Sequence, residues 1–324
     1  MRYRPLIIIS AILILLITGV LLMNRRGTFN RQNTSFAVDG NMEITGVRLT
    51  QEEESIRLRK TSEGWVVNEA GEARSSAVSF LLQTITDIGI KSPLSEEIFK
   101  SEILDNEISP VKVEVWSGRK RVKTFLVYKT DSNIYGNIMR RSERSKPFIM
   151  AIPGFDGSIG SNFNMNELFW MPFNIFRKLP ASIASVEVSY AGRPEESFIV
   201  YNPAFGTTPA LIEYAEQKFD SLKVKRYISY YTWVPFESWD FSLDADRADS
   251  IRRTPPFITI IVTGVDGTAE TLFLWHRPSG SPDEGQFDND RVWGSKQIDG
   301  QIFIARYFDL DPLLRKKSYF FPDE

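Results

Sequence analysis

The sequence contains no cysteine and a single histidine among its 324 residues. The missing thiol excludes disulfides, thiolate metal sites, cysteine nucleophiles and the lipidated cysteine of a bacterial lipoprotein. It leaves the redox compartment open, because a chain without cysteine is compatible with either environment. Serine–histidine–aspartate catalysis would depend on His276 alone, and no G-x-S-x-G elbow supplies a serine. We therefore interpret His276 as a structural or exposed histidine at the end of a predicted strand.

A charge excess of either sign is also missing. The 39 basic and 41 acidic residues leave a net charge of −2. Proteins that bind nucleic acid generally need a strong basic excess, so no nucleic-acid partner is predicted. The composition is 42% hydrophobic and 25% charged, which is typical of packed globular protein and excludes a largely disordered chain.

Motifs that would indicate a cofactor or a catalytic centre are incomplete. The S-x-x-K matches at Ser109–Lys112 and Ser117–Lys120 lack the companion elements of serine–lysine enzymes. The glycines at 154, 157 and 160 match neither the Rossmann nor the P-loop spacing. We interpret the acidic segments Asp244–Asp249 and Asp283–Asp290 as solvated loops. An irregular calcium site is the alternative. We predict no enzyme, no catalytic residue, no cofactor and no metal.

The longest uncharged stretch, Leu6–Met23, predicts a transmembrane helix. Its eighteen residues would span roughly 27 Å as a helix, about the thickness of a bilayer's hydrocarbon core. The run exceeds the usual apolar region of a signal peptide, and no small-residue cleavage site follows it, so we predict an uncleaved signal-anchor. Residues 1–23 then form a short tail and the anchor, and residues 24–41 form a tether.

The predicted location is the inner membrane, crossed once, with the C-terminal body in the periplasm. Basic residues flank the anchor on both sides almost equally, so the positive-inside rule gives no clear orientation. We favour the outside because a large domain is usually translocated regardless of a few flanking charges.

Residues 42–155 are predicted to form a first α+β module. Apolar residues at helical spacing between Val78 and Ile88 predict an amphipathic helix with Ser75 or Ser76 as its N-cap. A weaker helix is predicted from a Ser95 cap through Ile103. Short alternating runs predict half-buried strands: Ile44–Leu49, Ser55–Lys60, Gly64–Val67, Val111–Trp116, Lys123–Tyr128, Ile134–Met139 and Phe148–Ile152.

A similar order of elements recurs at an offset of roughly 130 to 160 residues, which predicts a second module over residues 181–324. A helix is predicted with Thr208 as N-cap and Pro209 at the first helical position. Its apolar side would consist of Leu211, Tyr214, Ala215, Phe219 and Leu222. The predicted strands are Ile183–Val188, Ser197–Tyr201, Ile258–Val262, Glu270–Trp275, Val292–Gly294 and Ile302–Ala305.

Residues 156–180 lie between the two modules and predict an aromatic connector. We expect its large rings to pack between the modules: Phe163, Phe169, Trp170, Phe173 and Phe176. The predicted fold class is therefore α+β, with an N-terminal transmembrane helix followed by two tandem, similar β-rich modules that each carry a packed amphipathic helix.

Two regions are candidate surfaces for a partner or ligand. Lys112–Lys146 holds ten basic residues against three acidic ones, and its candidates are Arg119, Lys120, Arg121, Arg140 and Arg141. They could contact anionic lipid headgroups or an acidic partner, or they could be solvated hairpin tips. Tyr227–Phe241 is rich in aromatic residues, and Trp233 and Trp239 could stack on sugars or on a protein partner. Core packing is the alternative for this stretch.

Several of these segments together resemble the domain-of-unknown-function family 4340, especially its single-anchor members from Bacteroidetes-type bacteria. The resemblance covers roughly Ile44 to the C-terminus, and its motifs are structural. The residues that carry it are Ile44–Leu49, Ser55–Lys60, Gly64–Val67, Ala77–Ile88 and Ile183–Val188. Related domains occur in auxiliary proteins of ABC-type transport systems, including a gliding-motility component. The resemblance therefore implies an extracytoplasmic accessory role and supplies no catalytic residue.

The leading hypothesis is a non-enzymatic, membrane-anchored accessory or scaffold protein with protein partners in the cell envelope. Its partner would be a transport-related membrane complex. The alternative is a module that binds envelope glycan or another ligand through Tyr227–Phe241. A third hypothesis, an enzyme of unrecognised type, would need an acid–base pair of carboxylates.

Overall fold

The computed structural model describes residues 13–14, 34–69, 71–130, 137–155, 157–202, 210–211, 219–280, 285–297 and 300–321. The fold is α+β, as predicted, and its sheets are antiparallel with few helices. The chain divides into unit 1, Met1–Pro172, and unit 2, Phe173–Glu324. Apart from Leu13 and Ile14, the predicted anchor lies outside the described residues. Within the described part of the chain, no helix is long and apolar enough to cross a membrane.

Unit 1 is built on one sheet with nine described strands. They are β1 (Gly46–Gln51), β2 (Glu54–Lys60), β3 (Trp65–Val67), β4 (Gly71–Glu72), β5 (Gly89–Pro93), β6 (Val111–Ser117), β7 (Lys120–Tyr128), β8 (Asn137–Arg140) and β9 (Phe148–Ala151). Their order in the sheet is β4-β3-β2-β1-β6-β7-β8-β9-β5. Residues 131–136, which include the first part of the strand predicted at Ile134–Met139, lie outside the described residues.

One face of this sheet is covered by helix α1 (Ser75–Asp87). Alternate residues of the strands point inward, and Leu49, Leu81 and Ile85 are fully buried in the resulting core. Burying a side chain of this size contributes about 1.5–3 kcal/mol. The predicted caps Ser75 and Ser76 lie inside the helix, because the chain already turns at Arg74, whose N–H donates to the Trp170 carbonyl.

The opposite, outer face is covered only in part among the described residues. Helix α2 (Glu96–Phe99) continues as a π-helical turn, Lys100–Leu104, and the Ser95 hydroxyl caps it as predicted by accepting from the Ile98 N–H. A small apolar cluster joins this segment to β7 and β8: Phe99, Ile103, Leu126, Tyr128 and Ile138. The outer sides of β1 and β2 carry exposed and half-buried side chains instead.

The aromatic residues of the predicted connector, 156–180, belong to two separate cores. Helix α3 (Glu167–Trp170) begins at Asn166, whose side chain accepts from the Leu168 N–H. Phe163 and Trp170 are buried in the core of unit 1, whereas Phe176 is buried in the core of unit 2. Asp156 lies outside the described residues.

Unit 2 holds an eight-stranded sheet and a separate two-stranded ribbon among its described residues. The ribbon pairs β10 (Asn174–Phe176) with β14 (Val234–Pro235). The sheet consists of β11 (Ile183–Tyr190), β12 (Phe198–Tyr201), β13 (Ala210–Leu211), β15 (Ser238–Trp239), β16 (Ile258–Gly264), β17 (Ala269–Pro278), β18 (Phe287–Ser295) and β19 (Phe303–Arg306). Its strand order is β13-β12-β11-β16-β17-β18-β19-β15.

Two helices of unit 2 begin at aspartate caps. The Asp220 carboxylate caps α4 (Ser221–Ser229), which buries Val224 and Tyr227, and the Asp244 carboxylate caps α5 (Ala245–Arg253). A last short helix is α6 (Tyr307–Leu310). Single-turn 3-10 helices lie at Gly160–Asn162, Pro180–Ser182, Pro194–Glu196, Tyr230–Thr232 and Lys317–Phe320.

Three sequence predictions need correction here. Asp288 and Asp290, from the acidic segment predicted to be a solvated loop, lie on β18, where Asp288 accepts a hydrogen bond from Arg277. The helix predicted from Thr208 is wrong at Ala210–Leu211, because this segment forms β13 and pairs with β12. Residues 203–209 and 212–218 lie outside the described residues. The acidic segment Asp244–Asp249 is not a solvated loop but the start of α5, where the Asp244 carboxylate accepts a hydrogen bond from the Arg247 N–H of the first turn.

Candidate functional site

The outer face of the unit 1 sheet carries a row of charged side chains across three neighbouring strands. Arg57 on β2 lies directly opposite Arg48 on β1, and Arg48 lies opposite Glu114 on β6. These residues point outward because the alternate positions, such as Val47 and Val115, fill the core. We call the surface formed by Arg48, Arg57, Arg59, Lys112 and Arg121, together with Glu114 and Trp116, the arginine face.

Glu114 is a buried carboxylate shared by three cations. Its side chain is only 6% exposed, and Arg121 Nη1 donates to its Oε1 at 2.6 Å. Lys112 Nζ lies 3.6 Å from the same oxygen, and Arg48 Nη1 lies 3.8 Å from Oε2. The three cationic side chains remain between 38% and 56% exposed. One carboxylate therefore orders three charges that still face solvent.

A β-bulge brings Arg121 into this group. The pairing of β6 with β7 shifts between Val115 and Trp116, so that Arg121 lies opposite Trp116 and Val122 is the extra residue. In an unbroken ladder Arg121 would point to the other face of the sheet, because the side-chain period is two. Bulges commonly re-aim a side chain in this way.

A cavity of about 370 Å³ opens in the arginine face above Gly46. Gly46 pairs with Arg59 on one side and with Trp116 on the other, so the missing side chain leaves a depression between them. The backbone does not require glycine here, since Gly46 is absent from the left-handed conformations of the described chain. A Cβ atom would lie 3.6 Å from the Leu58 carbonyl oxygen and 3.8 Å from Trp116 Cβ, which are ordinary contacts.

The wall of the cavity is aromatic and cationic. The Arg48 guanidinium lies 5.1 Å from the centre of the Trp116 ring, within the range of a cation–π contact. Arg48 Nε is buried and has no hydrogen-bond acceptor among the described residues. Arg57 is paired with Glu69 at 3.8 Å, and both side chains are more than half exposed, so this ion pair contributes little.

The arginine face is electropositive in a chain that is slightly acidic as a whole. Five cationic side chains against the carboxylates of Glu69 and Glu114 leave a local charge of +3. Like charges directly opposite in a sheet, such as Arg48 and Arg57, are destabilising unless an anion compensates them. Guanidinium groups bind carboxylates and phosphates through paired hydrogen bonds. This geometry is suited to holding an anionic group.

The predicted basic residues have different positions. Arg121 belongs to the arginine face, whereas Arg119 and Lys120 lie exposed at the tip of the β6–β7 hairpin. Arg140 is only 11% exposed; it contacts Glu96 at 2.6 Å and lies 3.6 Å over the Phe99 ring.

Arg141 is likewise held by its own chain. Its guanidinium donates to the Thr124 carbonyl, and burial lowers the pKa of Arg141.

The aromatic stretch Tyr227–Phe241 contributes mainly to the core of unit 2. Tyr227, Tyr231 and Phe236 are buried, and half-buried Trp239 packs on Phe236 at 4.8 Å between ring centres. Trp233 is 55% exposed and lies beneath Arg177 at 5.8 Å. Trp233 and Trp239 thus occupy unlike environments.

His276 stacks between two phenylalanine rings. Its ring centre lies 3.9 Å from that of Phe257 and 4.6 Å from that of Phe287. Desolvation by these neighbours lowers the pKa of His276. Asp283 and Glu284 lie outside the described residues; within the described ranges, no group of three His, Asp or Glu side chains is arranged to hold a metal ion.

Sequence reasoning missed Gly46, Arg48, Arg57 and Arg59. Each was assigned only to a strand, because no local pattern reveals which strands become neighbours. A usable signal was the alternation of arginine with apolar residues in Ser55–Lys60, which places Arg57 and Arg59 on one face.

Comparison with known proteins adds no relative to these observations. No family model, curated protein or solved structure matches the chain. The family resemblance described for the sequence therefore remains a hypothesis.

Proposed function

We propose that this protein is a non-enzymatic, membrane-anchored extracytoplasmic accessory or scaffold protein that contacts a membrane complex through the arginine face. The observation that carries the proposal is the exposed charge of Arg48, Arg57 and Arg59 around the Gly46 cavity. Arg48 lies opposite Glu114 on one side but opposite Arg57, a like charge, on the other, and like charges in this position are destabilising. The resemblance to the domain-of-unknown-function family 4340 supports a transport-related complex as the partner.

The membrane location rests on the apolar run Leu6–Met23 and on the same resemblance. A tethered body needs only modest affinity, because tethering raises the effective concentration of its partner. A reporter that is active only in the periplasm, fused after Glu324, should be active. An inactive fusion would place the body on the cytoplasmic side.

The two units support a duplicated architecture of similar modules. In unit 1 the central strands run β2-β1-β6-β7-β8-β9, and in unit 2 they run β12-β11-β16-β17-β18-β19. The row that corresponds to Arg57, Arg48 and Glu114 is Ile199, Glu187 and Ile261. This difference supports unit 1 as the part of the chain that would recognise an anionic partner.

Crosslinking in intact cells, followed by affinity purification of the full chain from membranes, tests the proposal. The wild-type chain should carry a partner, and the charge reversal Arg57→Glu/Arg59→Glu should release it. The matched control Arg119→Glu/Lys120→Glu makes the same charge change at the hairpin tip and should retain the partner. A wild-type chain that is recovered alone and monomeric would remove the support for a scaffold.

A further inference from the structure

The arginines beside the Gly46 cavity have the spacing of side chains on one face of an extended chain. Residues i and i+2 of a strand lie on one face, roughly 6–7 Å apart. Arg57 and Arg59 have this spacing on β2, and Arg48 lies one strand away from Arg57. An extended segment with carboxylates at alternate positions could therefore pair with both arginines of β2 at once.

We infer that the arginine face binds an extended acidic segment of a partner protein, with one carboxylate-bearing side chain seated in the cavity above Gly46. The inference rests on the proposed function and specifies the chemistry of the partner. The cavity volume of about 370 Å³ lies at the lower end of the range for ligand pockets and suits a side chain rather than a whole cofactor.

Glu114 already performs part of this recognition from within the chain. Its carboxylate occupies one side of Arg48 and holds Arg121, while the other side of Arg48 faces the cavity. A partner carboxylate would complete the pairing of Arg48 and Arg57, whose mutual repulsion it would offset. The Trp116 wall would contact the aliphatic part of the incoming side chain.

The same features disfavour an anionic membrane surface as the ligand. The cavity is recessed above the sheet between Arg59 and Trp116, and Glu114 adds a negative charge to the row. A lipid surface is better contacted by protruding cations such as Arg119 and Lys120 at the hairpin tip. Variants at the arginine face and at the hairpin tip can therefore distinguish an acidic protein segment from an anionic lipid surface.

Fluorescence anisotropy of a dye-labelled octapeptide of alternating glutamate and serine tests the inference, with the full-length chain in a neutral detergent. We expect saturable binding that weakens with salt, and no binding of the peptide in which glutamine replaces glutamate. Gly46→Val should weaken binding at least about tenfold because its side chain projects from the floor of the cavity into the space between Arg59 and Trp116. Gly46→Ala, which adds only a Cβ atom, should lower the affinity for the peptide by less. It provides a second measurement if the valine variant misfolds.

Two controls test whether a loss of binding comes from the cavity rather than from misfolding or from the loss of any positive charge. Both Gly46 variants should melt no lower than the wild type, because a strand tolerates alanine and valine better than glycine. Arg119→Gln/Lys120→Gln should bind within about twofold of the wild type.

Three outcomes would overturn the inference. These are equal binding of the glutamine peptide, wild-type affinity in Gly46→Val, and binding to phosphatidylglycerol vesicles without binding to the peptide. If the peptide fails while capture in cells still depends on Arg57 and Arg59, the peptide chemistry is wrong and the proposed function stands. If neither wild-type capture nor peptide binding is seen, both are overturned.

Discussion

Tyr227 and Tyr231, which are both fully buried in unit 2, should contribute unequally to its stability. Tyr227 donates from its hydroxyl to the Leu313 carbonyl at 3.0 Å, and its oxygen lies 2.8 Å from the Tyr231 hydroxyl. A hydroxyl has one proton, so Tyr231 must donate to Tyr227. Burial raises the pKa of both side chains, and both therefore remain neutral at physiological pH.

The hydrogen-bond direction sets the size of each effect. Tyr231→Phe removes one hydrogen bond and leaves Tyr227 still donating to Leu313, so it should lower the free energy of unfolding by about 1 kcal/mol. Tyr227→Phe removes both bonds and leaves the Tyr231 hydroxyl buried without a partner, which should cost about 2–4 kcal/mol. The double variant should be no less stable than Tyr227→Phe, because it removes the unpaired hydroxyl.

Hydrogen exchange of the amides in α4, measured by mass spectrometry on the full chain, reports the opening of this unit. The exchange rates of the two single variants and the double variant give the coupling free energy. Equal losses for the two single variants, or strictly additive losses in the double variant, would refute the assigned donor direction.

Three further predictions follow from the ion pairs and the histidine. Glu114→Gln should lower the free energy of unfolding by about 1–2 kcal/mol at low salt and by less in 1 M salt, because salt screens the interactions of its charge. Urea titrations at both salt concentrations measure this difference, and the same loss at both would contradict the charge network. An NMR titration of His276, the single histidine, should give a pKa below the ordinary value of 6.5. The stability that its neutral form contributes should therefore decline as the pH falls from 6.5 through the folded-state pKa. A measured pKa above 6.5 would contradict the desolvation of His276 between the two rings. Arg140→Ala should lower the free energy of unfolding by about 1–3 kcal/mol, because it removes the contacts of Arg140 with Glu96 and Phe99. In thermal melts, the control variant Arg119→Ala should match the wild type. Equal melting temperatures for the two variants would argue against a structural role of Arg140.

Part of this fold could be predicted from local pattern alone. The helix predicted from Val78 to Ile88 corresponds to α1, and the run Ser55–Lys60 lies within β2, because burial on one side imposes a 3.6- or two-residue period. Helix α5 was missed because only Ala248 and Ile251 are buried in it, so its apolar period is too weak. Its signal was the Asp244 cap together with basic residues in the last turn.

The candidate site depends on information that a single segment does not contain. Arg48 and Glu114 lie opposite each other although the sequence separates them by a whole helical region, and that pairing is set by the tertiary fold. The direction of Arg121 depends on one bulge, which composition and periodicity do not reveal. The predicted surface residue Arg140 shows the converse, since its charge is engaged by its own chain.

A photoreactive side chain at position 59, activated in intact cells, tests the central claim most directly. The claim predicts a crosslink to a partner protein that disappears when Gly46→Val is added. The matched position is Gln83, which is exposed on α1 over the opposite face of the same sheet, and it should give no such product. A crosslink from position 83 but not from 59, or a product at 59 that Gly46→Val leaves undiminished, would contradict a partner bound at the arginine face.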